Sequence, residues 1–342
     1  MDTRQEKIIR QTDLDALSSR HSANKNGYFD PADPYIDDLI ASYQNYLHYT
    51  GGYTSMSASR TVRSAFAERK LPIINRGTYL RTKAIDLAIE RFLDQYEGKP
   101  TQIVSLGGGS DTRVFGLLEK YPDLVYHELD FPDSTKVKKL AIEANPRLAK
   151  AVGIDPGYTP TSVNNRAEWE AVEGDIHTSK YHLVGFDLRN LTTGIPYPHL
   201  DSELPTLIIS ECVLCYVSPE QAESILKYWM AAAKDSYFII YEPISLGDAF
   251  GATMAKNLAT RGINLMSFEA YPTIDSRRQW LEKCGMTEVA VDDIATVGGY
   301  TGFSWISNAE LARINRLELV DEVEEIVMLY KHYVVCYGEH HR

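Results

Sequence analysis

The sequence predicts an α/β protein with a doubly wound, mostly parallel sheet and a helical segment before it. From about Gln102 onward, short apolar runs alternate with helical patterns, as in successive βαβ units. The first of these runs breaks into Gly107-Gly108-Gly109, and the residues before it show helical patterns only. We therefore expect a helical N-terminal cap over residues 1–98 and a sheet domain with helical insertions over residues 99–342.

The cap contains three helical patterns, at residues 13–22, 34–49 and 81–96. Asn26-Gly27 and Gly51-Gly52 interrupt them, and Asn-Gly and Gly-Gly dipeptides mark turns. We expect these helices to close over a pocket in the sheet domain.

The sheet domain begins with five apolar runs that read as strands. They lie at residues 102–106, 125–129, 181–186, 206–210 and 237–241. Between the last two, Ser218-Pro219-Glu220-Gln221 predicts the start of a helix that runs to about Ala233. Serine is a good N-cap, proline fits the first helical position, and glutamine three residues after the cap completes a capping box.

The C-terminal part continues the same alternation. Residues 286–291 predict a further strand, residues 311–329 a long helix, and residues 332–337 a final strand. These segments bring the predicted sheet to seven strands.

Composition and charge restrict the class of protein. The chain has 342 residues, of which 44% are hydrophobic, and a net charge of −12. The acidic balance disfavours an extended nucleic-acid surface. The first residues lack a secretory apolar segment, no apolar run approaches a membrane span, and four scattered cysteines fit a reducing compartment. We expect a globular, soluble, cytoplasmic protein with no nucleic-acid or membrane partner, with entry into the nucleus left open.

One modest basic cluster interrupts this acidic composition. It consists of Arg60, Arg63, Arg69 and Lys70. The simpler interpretation is a solvated helix face, and the alternative is a local positive potential for an anionic partner.

The glycine-rich turn after the first strand predicts a nucleotide-type ligand. Glycine lets the backbone turn tightly and approach a ligand, and an acid ending the second strand, here Asp130, can hold a ribose hydroxyl. A dinucleotide motif would need a third glycine where this chain has Thr112. The pattern therefore favours S-adenosylmethionine over a nicotinamide cofactor, although a dehydrogenase and a turn without ligand stay open as alternatives.

The glycine turn and four acids follow the predicted strands at successive carboxyl ends. The turn begins at Gly107, and the acids are Asp130, Asp187, Glu211 and Glu242. Ligands of open α/β sheets bind at these ends, so the joint pattern predicts a polar site there. A structural cap explains Glu242 equally well.

Cys212 and Cys215 form a C-x-x-C pair inside the apolar run 207–216. The chain has no second cysteine pair to complete a zinc site. We expect packed core thiols and assign no metal.

Five motifs in order carry a resemblance to a known family. They are Asn75-Arg76-Gly77 with Arg81, the glycine-rich strand 103–112, Asp130-Phe131-Pro132, Asp187-Leu188-Arg189, and Glu211-Cys212-Val213-Leu214 with Tyr216. Together they resemble the leucine carboxyl methyltransferase family over nearly the whole chain. The resemblance implies a class I S-adenosylmethionine-dependent methyltransferase (Rossmann-like) sheet with an antiparallel last strand and an added helical N-terminal part.

The resemblance also implies cofactor-binding roles for matching positions. Arg81 is similar to the arginine that pairs with the methionine carboxylate of the cofactor, a pairing that a guanidinium can make with two hydrogen bonds. Gly107 resembles the position whose backbone approaches the cofactor, Asp130 the ribose-binding acid, and Glu211 the acid near the methionyl end.

Four further positions complete the predicted site. Asp187 and Leu188 resemble the pair that meets the adenine edge. Arg20 falls where the family often carries a lysine near the cofactor, with an exposed helix-end cation as the alternative. Tyr216 is a candidate catalytic residue that orients the substrate carboxylate, with a packed aromatic at a strand end as the alternative.

The implied reaction is methyl esterification of the α-carboxylate of the C-terminal leucine of the type 2A protein phosphatase catalytic subunit, which regulates assembly of the phosphatase holoenzyme. The implied partner contact comprises the phosphatase tail and its adjoining surface. The alternatives are a tRNA-wybutosine carboxyl methyltransferase or another carboxyl or O-methyltransferase, and a non-catalytic adaptor that binds the phosphatase.

Overall fold

A computed structural model describes residues 3–67, 69–191, 194–321 and 323–342. The helices are α1 Thr3–Lys25, α2 Ile36–Tyr46, α3 Ser55–Ala67, α4 Pro72–Gln95, α5 Arg113–Lys120, α6 Pro132–Ala144, α7 Pro146–Ala151, α8 Arg166–Ala171, α9 Pro219–Ala232, α10 Ala249–Thr260, α11 Ile274–Cys284, α12 Ile294–Val297, α13 Asn308–Ile314 and α14 Val323–Lys331. The strands are β1 Thr101–Leu106, β2 Leu124–Asp130, β3 Ile176–His177, β4 Tyr181–Gly185, β5 Thr206–Glu211, β6 Asp235–Pro243, β7 Thr287–Asp293 and β8 Tyr333–His341.

The strands form one eight-stranded sheet in the order β3-β4-β2-β1-β5-β6-β8-β7. The five strands from β4 to β6 in this order run parallel, whereas β8 is antiparallel to both β6 and β7. The predicted doubly wound sheet with an antiparallel last strand is confirmed. The two-residue strand β3, antiparallel to β4, is an addition that the sequence did not predict.

Both faces of the sheet are covered, as expected for parallel strands. All six residues of β1 are buried. Because side chains alternate along a strand, Ile103 belongs to the hydrophobic core on one face, and Val104 belongs to the core on the other. The first core includes Leu80 and Ile85 of α4, so this N-terminal helix packs against the sheet.

Helices α1 and α2 share a third core with α6, which follows β2. Leu14 and Leu39 pack there with Val137 and Leu140. The helical segment and the sheet domain are therefore joined by apolar contacts, and the predicted division at residue 98 stays a prediction.

The local predictions succeed where caps and periodicity agree. Helix α9 begins with the predicted capping box, in which the Ser218 side chain accepts from the backbone of Gln221 and the Gln221 side chain accepts from the backbone of Ser218. Helix α4 begins at Pro72, nine residues before the predicted pattern at 81–96, and α3 was not predicted.

The predicted long helix at residues 311–329 is wrong. Helix α13 ends at Ile314 and α14 begins at Val323. Between them, Leu317 packs against the core and Glu318 accepts a hydrogen bond from Asn75 Nδ2 at 3.0 Å. These contacts to α4 outweigh the helical periodicity of the segment.

Candidate active site

A cavity of about 380 Å³ lies at the carboxyl ends of β1, β2, β4 and β5, with α1 and α4 on its other sides. Eight of the residues that the sequence analysis considered for the site line this cavity, and Glu242 does not. The eight residues are Arg20, Arg81, Gly107, Asp130, Asp187, Leu188, Glu211 and Tyr216. The structure therefore brings together positions up to 196 residues apart in sequence, and their individual roles stay predictions.

The turn after β1 requires glycine for two separate reasons. Gly107 has φ of +63°, in the left-handed region, and a Cβ there would lie 2.5 Å from Cγ2 of Val213. At Gly108 a Cβ would lie 2.9 Å from Glu128 Oε1. The backbone of this turn consequently borders the cavity directly, without an intervening side chain.

Asp130 closes the turn from the end of β2. Its carboxylate accepts a hydrogen bond from Gly109 N at 2.7 Å and another from Phe131 N at 2.6 Å. Burial and the nearby carboxylate of Asp13 raise the pKa of Asp130 to about 6, against the lowering effect of the two backbone donors. The Asp130 carboxylate is therefore fixed by two hydrogen bonds, and its protonation state changes close to neutral pH.

Asp13 is a residue of the site that the sequence analysis missed. It lies on α1 and accepts hydrogen bonds from Ser110 N at 2.8 Å and Ser110 Oγ at 2.7 Å, so α1 is anchored on the glycine turn. In the sequence Asp13 is only the first residue of a helical pattern, and no local signal connects it with a turn 97 residues later.

Glu211 lies between two arginines at the end of β5. Arg81 Nε donates a short hydrogen bond to Oε1, and Arg113 Nη1 lies 3.0 Å from Oε2. Burial would raise the pKa of Glu211, but the two guanidinium groups outweigh it and hold this pKa below the usual range. Glu211 is therefore ionised at neutral pH.

Arg113 is a second site residue that the sequence analysis did not select. Its side chain is 6% exposed and also pairs with Asp86 at 3.2 Å and Asp111 at 2.8 Å. As the first residue of α5 it holds the acids of α4, the glycine turn and β5 in one network. A basic residue beside a glycine motif is too common a feature to have singled it out.

Arg81 retains hydrogen-bonding capacity toward the cavity. Its contact with Glu211 uses Nε, and its guanidinium carbon lies 4.8 Å from the centre of the Tyr241 ring. The opposite charge of Glu211 raises the pKa of Arg81 further, against the effect of burial. A planar cation with donors left at its Nη atoms suits a carboxylate ligand.

Asp187 and Leu188 border the cavity from the end of β4. Asp187 is the N-cap of the short 3-10 helix Leu188–Asn190, and it accepts from Arg189 N at 3.0 Å. Burial would raise the pKa of Asp187, and hydrogen bonds from Arg189 lower it overall. The carboxylate stays ionised beside an apolar wall that Leu188 forms.

Arg20 extends from α1 toward the turn between β1 and α5. It pairs with Asp33 at 3.0 Å and Asp111 at 3.4 Å, and it donates to Thr112 Oγ1 at 3.2 Å. The Arg20 side chain is only 14% exposed, so the alternative of an exposed helix-end cation is wrong.

Tyr216 ends the 3-10 helix Leu214–Tyr216, which follows β5. Burial raises the pKa of Tyr216 well above its ordinary value, so its hydroxyl is protonated and can donate a hydrogen bond. The structure is compatible with both predicted alternatives, because Tyr216 lines the cavity and is also partly packed.

Glu242 supports the segment that carries Tyr216. Its Oε1 accepts from Val213 N at 3.2 Å, next to Cys212, whose φ of +57° is left-handed. Burial raises the pKa of Glu242 to about 7, although Arg277 opposes this shift. The structure thus favours the structural alternative for Glu242, as a cap of the 212–216 turn.

The predicted core thiols are found at Cys212 and Cys215. Cys215 is buried, and burial raises the pKa of Cys212 to about 12, so both are thiols at neutral pH. Protonated thiols are poor metal ligands. The absence of a metal at this pair stays a prediction.

Arg60 and Arg63 of the basic cluster are exposed on α3, and the exposed Arg69 lies 3.6 Å from Glu318.

Among the residues that the structure describes, no helix combines the length and apolar character needed to cross a membrane.

Comparisons with known proteins agree on one family. A sequence model of the family described as "Leucine carboxyl methyltransferase" matches residues 8–230. "Leucine carboxyl methyltransferase 1" of Debaryomyces hansenii is 50% identical, covering 98% of this chain and 94% of the relative. The protein of the same description from Candida albicans is 47% identical, with 98% and 93% covered. A homologue from Arabidopsis thaliana is 33% identical, with 96% and 88% covered.

Solved structures are more distant. The S-adenosylmethionine-dependent methyltransferase SibL has a TM-score of 0.43 and 14% identity, covering 92% of this chain and 70% of its own. The plantazolicin methyltransferase BamL has a TM-score of 0.43 and 11% identity, with 89% and 97% covered. The family assignment depends on the sequence relatives alone: the chain belongs to the leucine carboxyl methyltransferase family, whose members are S-adenosylmethionine-dependent methyltransferases, as the sequence predicted.

Proposed function

We propose that this methyltransferase esterifies the α-carboxylate of the C-terminal leucine of the type 2A protein phosphatase catalytic subunit, and that this modification regulates assembly of the phosphatase holoenzyme in the cytoplasm. The observation that carries the proposal is the position of Arg81. Its half-buried guanidinium contacts Glu211 and lines a cavity of about 380 Å³ that the glycine turn also borders.

The cavity residues fit the cofactor of the family. Gly107 and Gly108 present bare backbone to the cavity, Asp130 offers a carboxylate for ribose hydroxyls, and Leu188 offers an apolar surface for a base. Arg81 would hold the methionine carboxylate, and Glu211 would attract the methionine ammonium group. When bound, S-adenosylmethionine supplies an electrophilic sulfonium methyl group.

The acceptor needs no general base. A C-terminal carboxylate has an ordinary pKa of about 3.5 and is ionised at neutral pH. The chain's task is therefore to align one carboxylate oxygen and to exclude water. The protonated Tyr216 hydroxyl can donate a hydrogen bond to the other oxygen and so fix its direction.

Helix α1 provides the exclusion of water. Its residues Thr12, Asp13, Ala16 and Arg20 line the cavity, and Asp13 anchors the helix on Ser110. With α1 in place, the reacting groups lie in a site of low dielectric, where the hydrogen bonds that orient them are stronger than in water.

The experiment that tests this function is transfer of radiolabelled methyl from S-adenosylmethionine to purified phosphatase catalytic subunit. A form that lacks its last leucine is the matched control. Base-labile label on the intact subunit alone is the expected result. Label on tRNA but not on the phosphatase would show the alternative carboxyl methyltransferase function, and phosphatase binding without any label would show an adaptor.

A further inference from the structure

We propose that His177, His182 and His199 bind one divalent transition metal of the zinc class at the edge of the sheet, outside the cofactor cavity. The ring nitrogens of these three residues that could serve as ligands all lie within 4.8 Å of one another. None of the three residues lines the cavity, so this site is separate from the methyl-transfer site.

The spacing suits a tetrahedral metal. His177 Nδ1 and His182 Nδ1 are 3.2 Å apart. Zinc binds imidazole nitrogen at about 2.0–2.1 Å, so two nitrogens of one tetrahedron are separated by about 3.3–3.4 Å. Three imidazoles would leave the fourth position for water.

The backbone holds two of the ligands in place. His177 of β3 and His182 of β4 are direct partners in the antiparallel ladder, so their side chains extend from the same face of the sheet. Strand β3 has only two residues, and no other described strand pairs with it. A metal held by both side chains would clamp this short edge strand to the sheet.

His199 comes from the loop before β5 and closes the group. Its ring stacks on His177 at 4.1 Å and on His182 at 4.6 Å between ring centroids. Tyr197, which is buried, packs edge-on against His199 at 5.5 Å. Packing thus keeps His199 next to the other two rings, and because the lone pairs of imidazole lie in the ring plane, binding one metal requires the stacked rings to turn toward it.

An acidic side chain lies close to one of the proposed ligands. Asp175 Oδ2 lies 4.0 Å from His177 Nε2, whereas Nδ1 of the same ring faces His182. A carboxylate beside the second ring nitrogen is the kind of outer partner that metal-binding histidines commonly have.

His127 is an independent indication of a polar ligand here. It is fully buried on β2, its ring stacks on His182 at 4.9 Å, and neither of its ring nitrogens has a partner among the described residues. Burying an imidazole without hydrogen bonds is costly. His127 is not one of the three proposed ligands, but it extends the row of imidazoles at the sheet edge to four.

The chemistry of the ligands selects the class of metal. Imidazole nitrogens suit Zn²⁺, Cu²⁺ and Ni²⁺, whereas Mg²⁺ and Ca²⁺ require oxygen ligands. We expect the metal to stabilise the folded chain, because a ligand that binds only the folded state raises the Tm.

The test is equilibrium dialysis of the full chain, without an affinity tag, against Zn²⁺ after treatment with a chelator. We expect one Zn²⁺ per chain. His177→Ala and His199→Ala should each weaken binding by at least about tenfold, since loss of even an outer partner costs about 10–100-fold in metal affinity. His340→Ala is the matched control, because His340 is also partly exposed but lies near the C-terminal end of β8.

Absence of bound Zn²⁺ in the wild type, or equal binding by wild type and His177→Ala, would overturn the proposal. His177 is exposed, so its substitution should leave the fold intact even if His199→Ala does not. A Co²⁺-loaded chain provides a second readout: intense visible bands of four-coordinate Co²⁺ would support the site, and the weak bands of octahedral Co²⁺ would contradict it. Methyl transfer should be unchanged in His177→Ala, which makes this test independent of the proposed function.

Discussion

Gly107 shows how single residues decide whether the cofactor site exists. Its left-handed φ and its contact with Val213 leave no space for a side chain. Arg81 depends on a different property, the geometry of a guanidinium that can contact Glu211 through Nε and a ligand through its Nη atoms. The backbone conformation of Gly107 and the donor geometry of Arg81 can therefore be tested separately.

We predict that Gly107→Ala impairs both folding and cofactor binding. A left-handed backbone costs an alanine about 1–2 kcal/mol, and the 2.5 Å contact with Val213 adds to this strain. Thermal unfolding and calorimetric titration with S-adenosylmethionine measure the two effects. Gly116→Ala is the control, since a Cβ at Gly116 in α5 meets nothing within 4 Å and should stabilise the helix by up to about 1 kcal/mol. Equal behaviour of the two variants would refute the argument.

We predict that Arg81→Lys weakens cofactor affinity. Lysine cannot contact Glu211 and a ligand carboxylate with one planar group, and a lost hydrogen bond to a charged partner costs about 1.5–3 kcal/mol, or roughly 10- to 150-fold in affinity. Calorimetric titration checks this value. Arg91→Lys is the control on the same helix, because Arg91 lies over the Tyr337 ring and does not line the cavity. An unchanged affinity in Arg81→Lys would remove Arg81 from the cofactor site.

At the scale of elements, α1 and the end of β2 act together. Asp13 of α1 and Asp130 of β2 both accept hydrogen bonds from the glycine turn, at Ser110 and Gly109. The two carboxylates repel one another, and this repulsion contributes to the raised pKa of Asp130. Docking of α1 therefore influences the charge of the acid that is predicted to hold the ribose.

We predict that cofactor affinity falls as the pH is lowered through about 6. Above this pH, Asp130 is a carboxylate that can accept from two hydroxyls, and below it the group is increasingly protonated. A rise in pH has the opposite effect on the stability of the fold. Because the pKa of Asp130 is raised in the folded state, ionisation of this group lowers the free energy of unfolding as the pH rises from about 4 to 6. Titrations between pH 5 and 8 measure the binding curve.

Asp13→Asn is the matched variant for this prediction. Asparagine keeps an oxygen acceptor for Ser110 but removes the negative charge beside Asp130. The midpoint of the binding curve should then shift to lower pH. A midpoint that stays near 6 in this variant would show that α1 does not control Asp130.

For the whole molecule, the proposed substrate would bring an anionic chain terminus to a chain of net charge −12. The basic residues Arg60 and Arg63 lie exposed on α3, which packs in one hydrophobic core with α1, a helix that lines the cavity. Screened charges of this kind act mainly on the rate of association. We propose that this face guides the phosphatase toward the site.

We predict that Arg60→Glu with Arg63→Glu weakens phosphatase binding and leaves cofactor affinity unchanged. The association rate should fall, and the difference from wild type should shrink as salt is raised, because exposed charges are screened. Surface plasmon resonance at several salt concentrations measures this. Lys99→Glu with Lys150→Glu is the control, since it makes the same change in net charge at exposed positions outside α3. Equal loss in both double variants would point to net charge rather than to a contact surface.

Local patterns in the sequence predict the parallel sheet, the place of the glycine turn and the acids at the strand ends, whereas Arg20, Arg81, Leu188 and Tyr216 were proposed from the resemblance to the family. Buried strands need continuous apolar runs, and a left-handed turn needs glycine. Two features of the site become visible only in the folded chain. Helix α1 covers the cavity through the contact of Asp13 with Ser110, and Arg113 pairs with three acids. The predicted helix at 311–329 is likewise interrupted in the folded chain, because Glu318 contacts Asn75. The contacts Asp13–Ser110, Arg113–Glu211 and Asn75–Glu318 join residues 97, 98 and 243 positions apart, and no periodicity along the chain records which distant partner a charged side chain will find.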